Sequence, residues 1–151
     1  MPKIYIATAP KVKGSGYPPP FDRPCAERIR QRLGNAGRLS DFGVNLMHLP
    51  PGNWSSQRHW HSHEDEFVAV LEGELTLVED GGEIVLRAGD CAAFPKDVRN
   101  GHRLVNRAAR RCIFLAMDSR IGEGNCHYPD VDLFWDNAAQ RYIHKDGSPY
   151  A

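Results

Sequence analysis

The chain has 151 residues, enough for one domain with a substantial buried core, and its 19 Lys+Arg balance 19 Asp+Glu to a formal charge of zero. With no basic excess to attract a phosphate backbone, nucleic acid is not an expected partner. The opening MPKIYIATAPKVK lacks the apolar run of a secretory signal and the longest apolar run, CIFLAM at 112–117, is far too short to span a bilayer, so a soluble cytoplasmic protein without a membrane partner is expected.

Residues 1–21 are rich in Pro and Gly, and GSGYPPPF at 14–21 reads as an extended arm, because each Pro removes a backbone donor and restricts its predecessor. One short amphipathic helix is predicted over 24–33. Asp22 can cap it, Pro24 suits a first turn, Cys25, Ala26, Ile29 and Leu33 recur at helical spacing, and Gly34 stops it. Glu27, Arg28, Arg30 and Arg32 then fall on its solvated side.

From Phe42 onward the period is two. GVNLMHL at 43–49 precedes a PPG turn, EFVAVLEG at 66–73 meets ELTLVE at 74–79 around Gly73, and DGG at 80–82 signals a hairpin into EIVLRA at 83–88. CAAFP, HRLVN at 102–106 and RCIFLAM at 111–117 complete six to eight short strands, the pattern of an all-β sandwich or barrel. Alternation puts Glu66, Val68 and Val70 on one face and Phe67, Ala69 and Leu71 on the other. Both faces are apolar, so one lines the barrel and the other needs cover, for which a homodimer is the economical expectation. The tail, 119–151, carries aromatics among turn formers without a period and is expected to pack irregularly across the outside. The chain is thus read as a single domain over 1–151, with arm and helix at 1–41, barrel core at 42–118 and tail at 119–151. Cys25, Cys91, Cys112 and Cys126 are scattered with no C-x-x-C pair, and free thiols are expected.

The chemistry concentrates in HWHSHEDEF at 59–67. On a strand His59 and His61 point to the same side with Cα atoms about 6.6 Å apart, close enough for two imidazoles to converge on one ion, and Trp60 faces the other way. Glu66 opens the next strand on its inward face, where a carboxylate is costly to bury unpaired and is stabilised beside a cation. His102 shares a strand face with Leu104 and Asn106 and can point the same way. Arg58, Arg99 and Arg103 flank these residues and can hold an anionic substrate by bidentate contacts, Arg99 being the first choice. Asn106 can support His102 or face a ligand, and Cys91 and Phe94 can line a pocket. Glu64 and Asp65 read as a polar turn, while His48, His127 and His144 are isolated and read as ordinary surface or hydrogen-bonding histidines.

These residues resemble the cupin superfamily. Its first motif, Gly, five residues, His-x-His, three or four residues, Glu, six residues, Gly, is similar to Gly52, His59, His61, Glu66 and Gly73, with six residues rather than five after Gly52. Its second motif, Gly, five residues, Pro-x-Gly, two residues, His, three residues, Asn, is similar to Gly89, Pro95, His102 and Asn106; Asp97 stands where Gly is expected, four residues precede His102, and Gly101 reads as a displaced turn glycine. GSGYPPPF, HWHSHEDEF, GDCAAFP and HKDGSPY narrow the resemblance to small single-domain metal-binding cupins, some of which are labelled sugar-phosphate-isomerase-like. The resemblance implies a double-stranded β-helix, or jelly-roll barrel, binding one divalent transition metal through His59, His61, Glu66 and His102. His63 is the lesser candidate, because pairing it with His61 leaves only two residues before Glu66. Such a shell suits Zn, Mn, Fe, Co or Ni and, in a six-coordinate ion, leaves two positions for a small oxygen-rich ligand. The expected function is a metal-dependent enzyme acting on a sugar derivative or carboxylic acid, as isomerase, decarboxylase, lyase or dioxygenase. The alternative is a non-catalytic small-molecule-binding or sensing protein with a structural metal.

Overall fold

Period-two segments need partners for their backbone N–H and C=O groups, and in the computed structural model, which describes residues 3–151, they find them in three antiparallel sheets. Met1 and Pro2, the start of the expected arm, lie outside the described residues. In chain order the strands are β1 (Lys11–Lys13), β2 (Ile29–Arg32), β3 (Phe42–Leu49), β4 (Trp60–His61), β5 (Glu66–Glu72), β6 (Glu74–Glu79) and β7 (Gly82–Arg87). After them come β8 (Cys91–Phe94), β9 (Arg103–Val105), β10 (Cys112–Ser119), β11 (Cys126–His127), β12 (Phe134–Asp136) and β13 (Arg141–Ile143). A six-stranded sheet runs β1-β2-β3-β10-β5-β8, a three-stranded sheet runs β7-β6-β9, and a four-stranded sheet runs β13-β12-β11-β4.

The inward faces of the six-stranded and three-stranded sheets meet in one core that includes Met47, Leu49, Val68, Val70, Leu75, Leu77, Leu104 and Phe114. Each such side chain contributes about 1.5–3 kcal/mol on full burial. The alternation in β5 is as expected: Val68 and Val70 are buried, whereas Phe67 and Leu71 are exposed. The arm covers only part of the outward face. Gln31 donates from its amide to the Ile6 carbonyl at 2.7 Å and binds His48 Nε2 at 2.7 Å, and Leu46 is buried nearby in the ladder. Among the described residues no helix is long and apolar enough to cross a membrane.

The structure corrects two expectations. The helix predicted over 24–33 is absent: Arg23–Cys25 makes one 3-10 turn, Ile29–Arg32 is β2, and a single helical turn, α1 (Leu33–Ala36), begins where the helix was expected to end. Pairing explains the difference. β2 is laddered on one side to β1 and on the other to β3, satisfying backbone groups that a short helix would have left open at both ends. Gly34 is not a stop signal; it lies inside α1, where an added Cβ would stand 2.9 Å from the Val44 backbone nitrogen. The C-terminal tail, expected to be irregular, supplies β11, β12 and β13, which pair onward from β4. Its Cys126, Tyr128 and Leu133 form a second core with Tyr17 and Cys25 of the N-terminal segment.

The close approach at Gly34 gives a direct test. Gly34→Ala forces overpacking against backbone and should cost roughly 1–3 kcal/mol, a fall in Tm of several degrees for a chain of this size. Gly81→Ala, where an added Cβ meets nothing within 4 Å, should leave Tm within about a degree. Equal effects in thermal denaturation would contradict this packing.

Candidate metal centre

Three loops and strand ends deliver the motif residues to one point. His59 pairs with His102 in an isolated antiparallel bridge, with backbone bonds from His59 N–H to the His102 carbonyl at 3.1 Å and back at 2.9 Å. His61 lies on β4, and Glu66 is the first residue of β5. The resulting geometry centres on the Glu66 carboxylate: His102 Nε2 lies 2.7 Å and His59 Nε2 3.5 Å from Oε2, and His61 Nε2 lies 3.4 Å from Oε1. The His59 Nδ1 is 2.9 Å from the Gln57 carbonyl, which can only accept, so Nδ1 carries the hydrogen and Nε2 presents its lone pair to the site. The His102 ring is held by Phe94, stacked at 3.6 Å between centroids and 5° from parallel.

The donor set fits a divalent ion. Glu66 Oε2 is buried and has no hydrogen-bond partner of acceptable geometry, despite the nearness of His102. An orphaned carboxylate oxygen is costly in the interior and is relieved by a cation. One donor atom each from His59, Glu66 and His102 lies within 4.8 Å of the others, and ligands of one ion stand up to about 4.3 Å apart, so small shifts close the shell. In the metal-free protein burial alone pushes the Glu66 carboxyl up, but the field of the three imidazoles crowded around it, His59 foremost when protonated, outweighs it and holds the group well below the usual carboxylate range. Burial lowers the His102 pKa against the pull of Glu66, favouring the neutral, ligating imidazole. At His61 burial also opposes charge, yet Glu66 and Glu64 prevail and raise its value.

The altered second motif still places its histidine. Asp97 adopts φ +58°, the left-handed conformation that makes glycine usual there, and its N–H donates to the His61 carbonyl at 2.8 Å. Gly101 is not a displaced turn glycine: it has no left-handed φ, and it is small because an added Cβ would stand 2.9 Å from Pro129.

The supporting residues sort differently from expectation. Arg58 is clamped by Asp130, with Nε and Nη2 contacts of 2.8 and 2.7 Å, and by Asp80, so its guanidinium is occupied outside the cavity. The Arg99 side chain is 77% exposed, lies over Trp60 and does not line the cavity. Arg103 stacks on Trp54 at 3.7 Å. Asn106 is fully buried and spends its amide on the Leu49 and Arg110 carbonyls at 2.7 and 2.8 Å and on the Ala108 N–H at 2.9 Å, a strand-closing role rather than a ligand contact. Cys91 is exposed. His63 is exposed and binds Ser62 Oγ at 2.8 Å, outside both groups of metal-ligating atoms. Asp65 pins the chain through the Lys96 N–H and Ser119 hydroxyl. Glu64 is more than a turn residue, since its Oε2 is 3.5 Å from His61 Nδ1 and burial raises its pKa.

A cavity of about 360 Å³ opens over the histidines and Glu66. Its walls include residues that sequence reasoning missed: Arg28 and Arg30 around β2, Tyr17 from the arm, and Cys126, Trp135 and Tyr142 from the tail sheet. Arg28 is tied to the Gly14 carbonyl at 3.0 Å and to the Ser55 carbonyl. Arg30 has a buried Nε without a partner, and burial together with Arg32 and Arg28 lowers its pKa. Reading 24–33 as a helix concealed both arginines on a supposed solvated face. Had Ile29–Arg32 been read as a strand, its own alternation would have separated Arg30 from Gln31.

An antiparallel barrel with a three-imidazole, one-carboxylate cluster at its mouth defines a fold with a candidate metal site, and the comparisons give the family. Residues 45–118 match the family described as Cupin domain. The chain aligns with the crystal structure of a sugar phosphate isomerase from a cupin superfamily, from Silicibacter pomeroyi, at 43% identity over 99% of this chain and 97% of that one, with a TM-score of 0.93. A protein of Acidithiobacillus ferrooxidans, provisionally called a sugar phosphate isomerase, is 26% identical over 83% of this chain and 81% of that one, with a TM-score of 0.73. The polyketide synthase CurC of Streptomyces cyaneus is 36% identical over 99 residues, which span 63% of this chain and 63% of that protein. The chain belongs to the cupin superfamily.

Two outcomes test the centre. Replacing His59 and His61 together by Ala should abolish bound metal in elemental analysis of untagged protein, whereas His63→Ala should retain it; the reverse would contradict the assignment. In metal-free protein the depressed Glu66 pKa contributes stability that is complete above its unfolded value of about 4.3 and is lost as pH falls through the folded value. The Tm difference between wild type and Glu66→Gln should therefore shrink as pH falls below about 4.3, and a constant difference there would contradict the placement.

Proposed function

We propose that the chain is a metal-dependent enzyme acting on a small anionic sugar derivative, with isomerisation of a sugar phosphate as the reading best supported. The observation that carries it is the buried, unpartnered Glu66 Oε2 among three imidazoles at the floor of a cavity of about 360 Å³. Four protein donors leave positions on a six-coordinate ion, and such an ion polarises a carbonyl or holds adjacent oxygens of a substrate. The Silicibacter pomeroyi relative, with its name and its near-complete overlap, supports the sugar-phosphate class.

The protein groups divide the work by position. Arg30, with its unsatisfied Nε, and Arg28 beside it receive the anionic end of the substrate. Tyr17 and Tyr142 line the same cavity and can contact sugar hydroxyls. Glu64 and Asp118 flank the metal ligands on the wall and are placed to take and return a proton. Asp118 lies opposite Glu66 in the β5–β10 ladder, and burial followed by the charge of Glu66 raises its pKa.

The test is interconversion of aldose and ketose phosphates followed by NMR on metal-loaded protein. Turnover should be lost on chelation, and Arg30→Met should raise KM about tenfold or more for phosphorylated substrates, as expected for loss of a charge-assisted contact worth roughly 1.5–3 kcal/mol. Tight binding without turnover across such substrates would favour the non-catalytic binding protein instead.

A further inference from the structure

We propose that Cys126 is a further ligand of the same metal ion, a thiolate supplied by the C-terminal sheet. Cys126 of β11 lies directly opposite His61 of β4, and side chains directly opposite in an antiparallel ladder share one face, with Cβ atoms about 4.5–5.5 Å apart. The same row continues through Trp135 of β12 to Tyr142 of β13, and all four residues line the cavity. Their neighbours turn the other way, as His127 does in stacking on Trp60 at 4.1 Å between centroids.

Distance then puts the thiol within reach of the same centre. The sulfur of Cys126 and one nitrogen each of His59 and His61 lie within 4.8 Å of one another, as do the ligating atoms of His59, Glu66 and His102. Two donors on one ion, a sulfur at about 2.3 Å and a nitrogen at about 2.1 Å, stand at most about 4.4 Å apart. His59 therefore belongs to two overlapping triads, one closed by Glu66 and His102 and the other by His61 and Cys126. The orphaned Glu66 Oε2 is independent evidence that a cation belongs at their junction. Cys126 is buried among Tyr17, Tyr128 and Leu133, so its side chain cannot swing away to solvent without opening that core.

Coordination releases the thiol proton to solvent and adds one sulfur to the three nitrogens and one carboxylate. A soft donor shifts preference from Mn towards Zn, Co or Fe(II). With Cys126 added to the shell, a six-coordinate ion keeps fewer positions for substrate oxygens.

The inference rests on the metal-centre reading, and Co(II) titration separates the two. Cobalt added to metal-free wild type should give visible ligand-field bands saturating at one equivalent, together with a near-ultraviolet thiolate-to-cobalt charge-transfer band. Cys126→Ser should keep the ligand-field bands and lose the charge-transfer band, whereas Cys91→Ser should keep both. Ligand-field bands without charge transfer in wild type would overturn the Cys126 ligand and leave the metal centre standing. Persistence of the charge-transfer band in Cys126→Ser would also overturn it, and no cobalt binding would overturn both readings. Should Cys126→Ser fail to fold, zinc-loaded wild type decides by X-ray absorption: a sulfur neighbour at about 2.3 Å supports the inference, and a shell of nitrogen and oxygen alone overturns it.

Discussion

The Glu66 carboxylate is the constraint around which the site is organised. It is an acid at the inward end of a strand whose next inward residues, Val68 and Val70, are buried core. Such a carboxylate is destabilising unless charge or hydrogen bonds compensate it, and three imidazoles from two chain segments converge on it to do so. The protein still leaves one oxygen without a hydrogen bond. That remaining mismatch is what a bound cation would resolve, and under the proposed reading it would link fold stability to metal binding.

The sheets determine which residues can answer this demand. The isolated His59–His102 bridge fixes two imidazoles against each other through paired backbone bonds, so the longer loop before His102 changes the route of the chain but not the destination. The β4–β11 pairing brings the tail back across the mouth and turns its aromatic residues into cavity wall. Arm, barrel and tail thus meet at the site, with Tyr17 and Cys25 packed against Tyr128 and Leu133 beside it.

The barrel strands and the histidine–glutamate set were legible in the sequence because both follow short-range rules. Alternation predicted β3, β5, β6, β7 and β10 closely, and the spacing of His59, His61 and Glu66 carried the ligand reading. The parts that were not legible depend on long-range pairing. Ile29–Arg32 reads as helix until β1 and β3 are seen on either side, and Cys126 reads as a scattered thiol until β11 is seen opposite His61. Arg99 illustrates the opposite error: proximity in sequence to the ligands did not bring it to the cavity, whereas Arg30, far away in the chain, lines it.

One cation is expected at the junction of these side chains. A crystal structure with anomalous diffraction measured at the absorption edge of the metal found in untagged protein tests it most directly. One anomalous peak per chain is expected, within coordination distance of His59 Nε2, Glu66 Oε2 and His102 Nε2. No peak there, or a peak held by other residues, would contradict it.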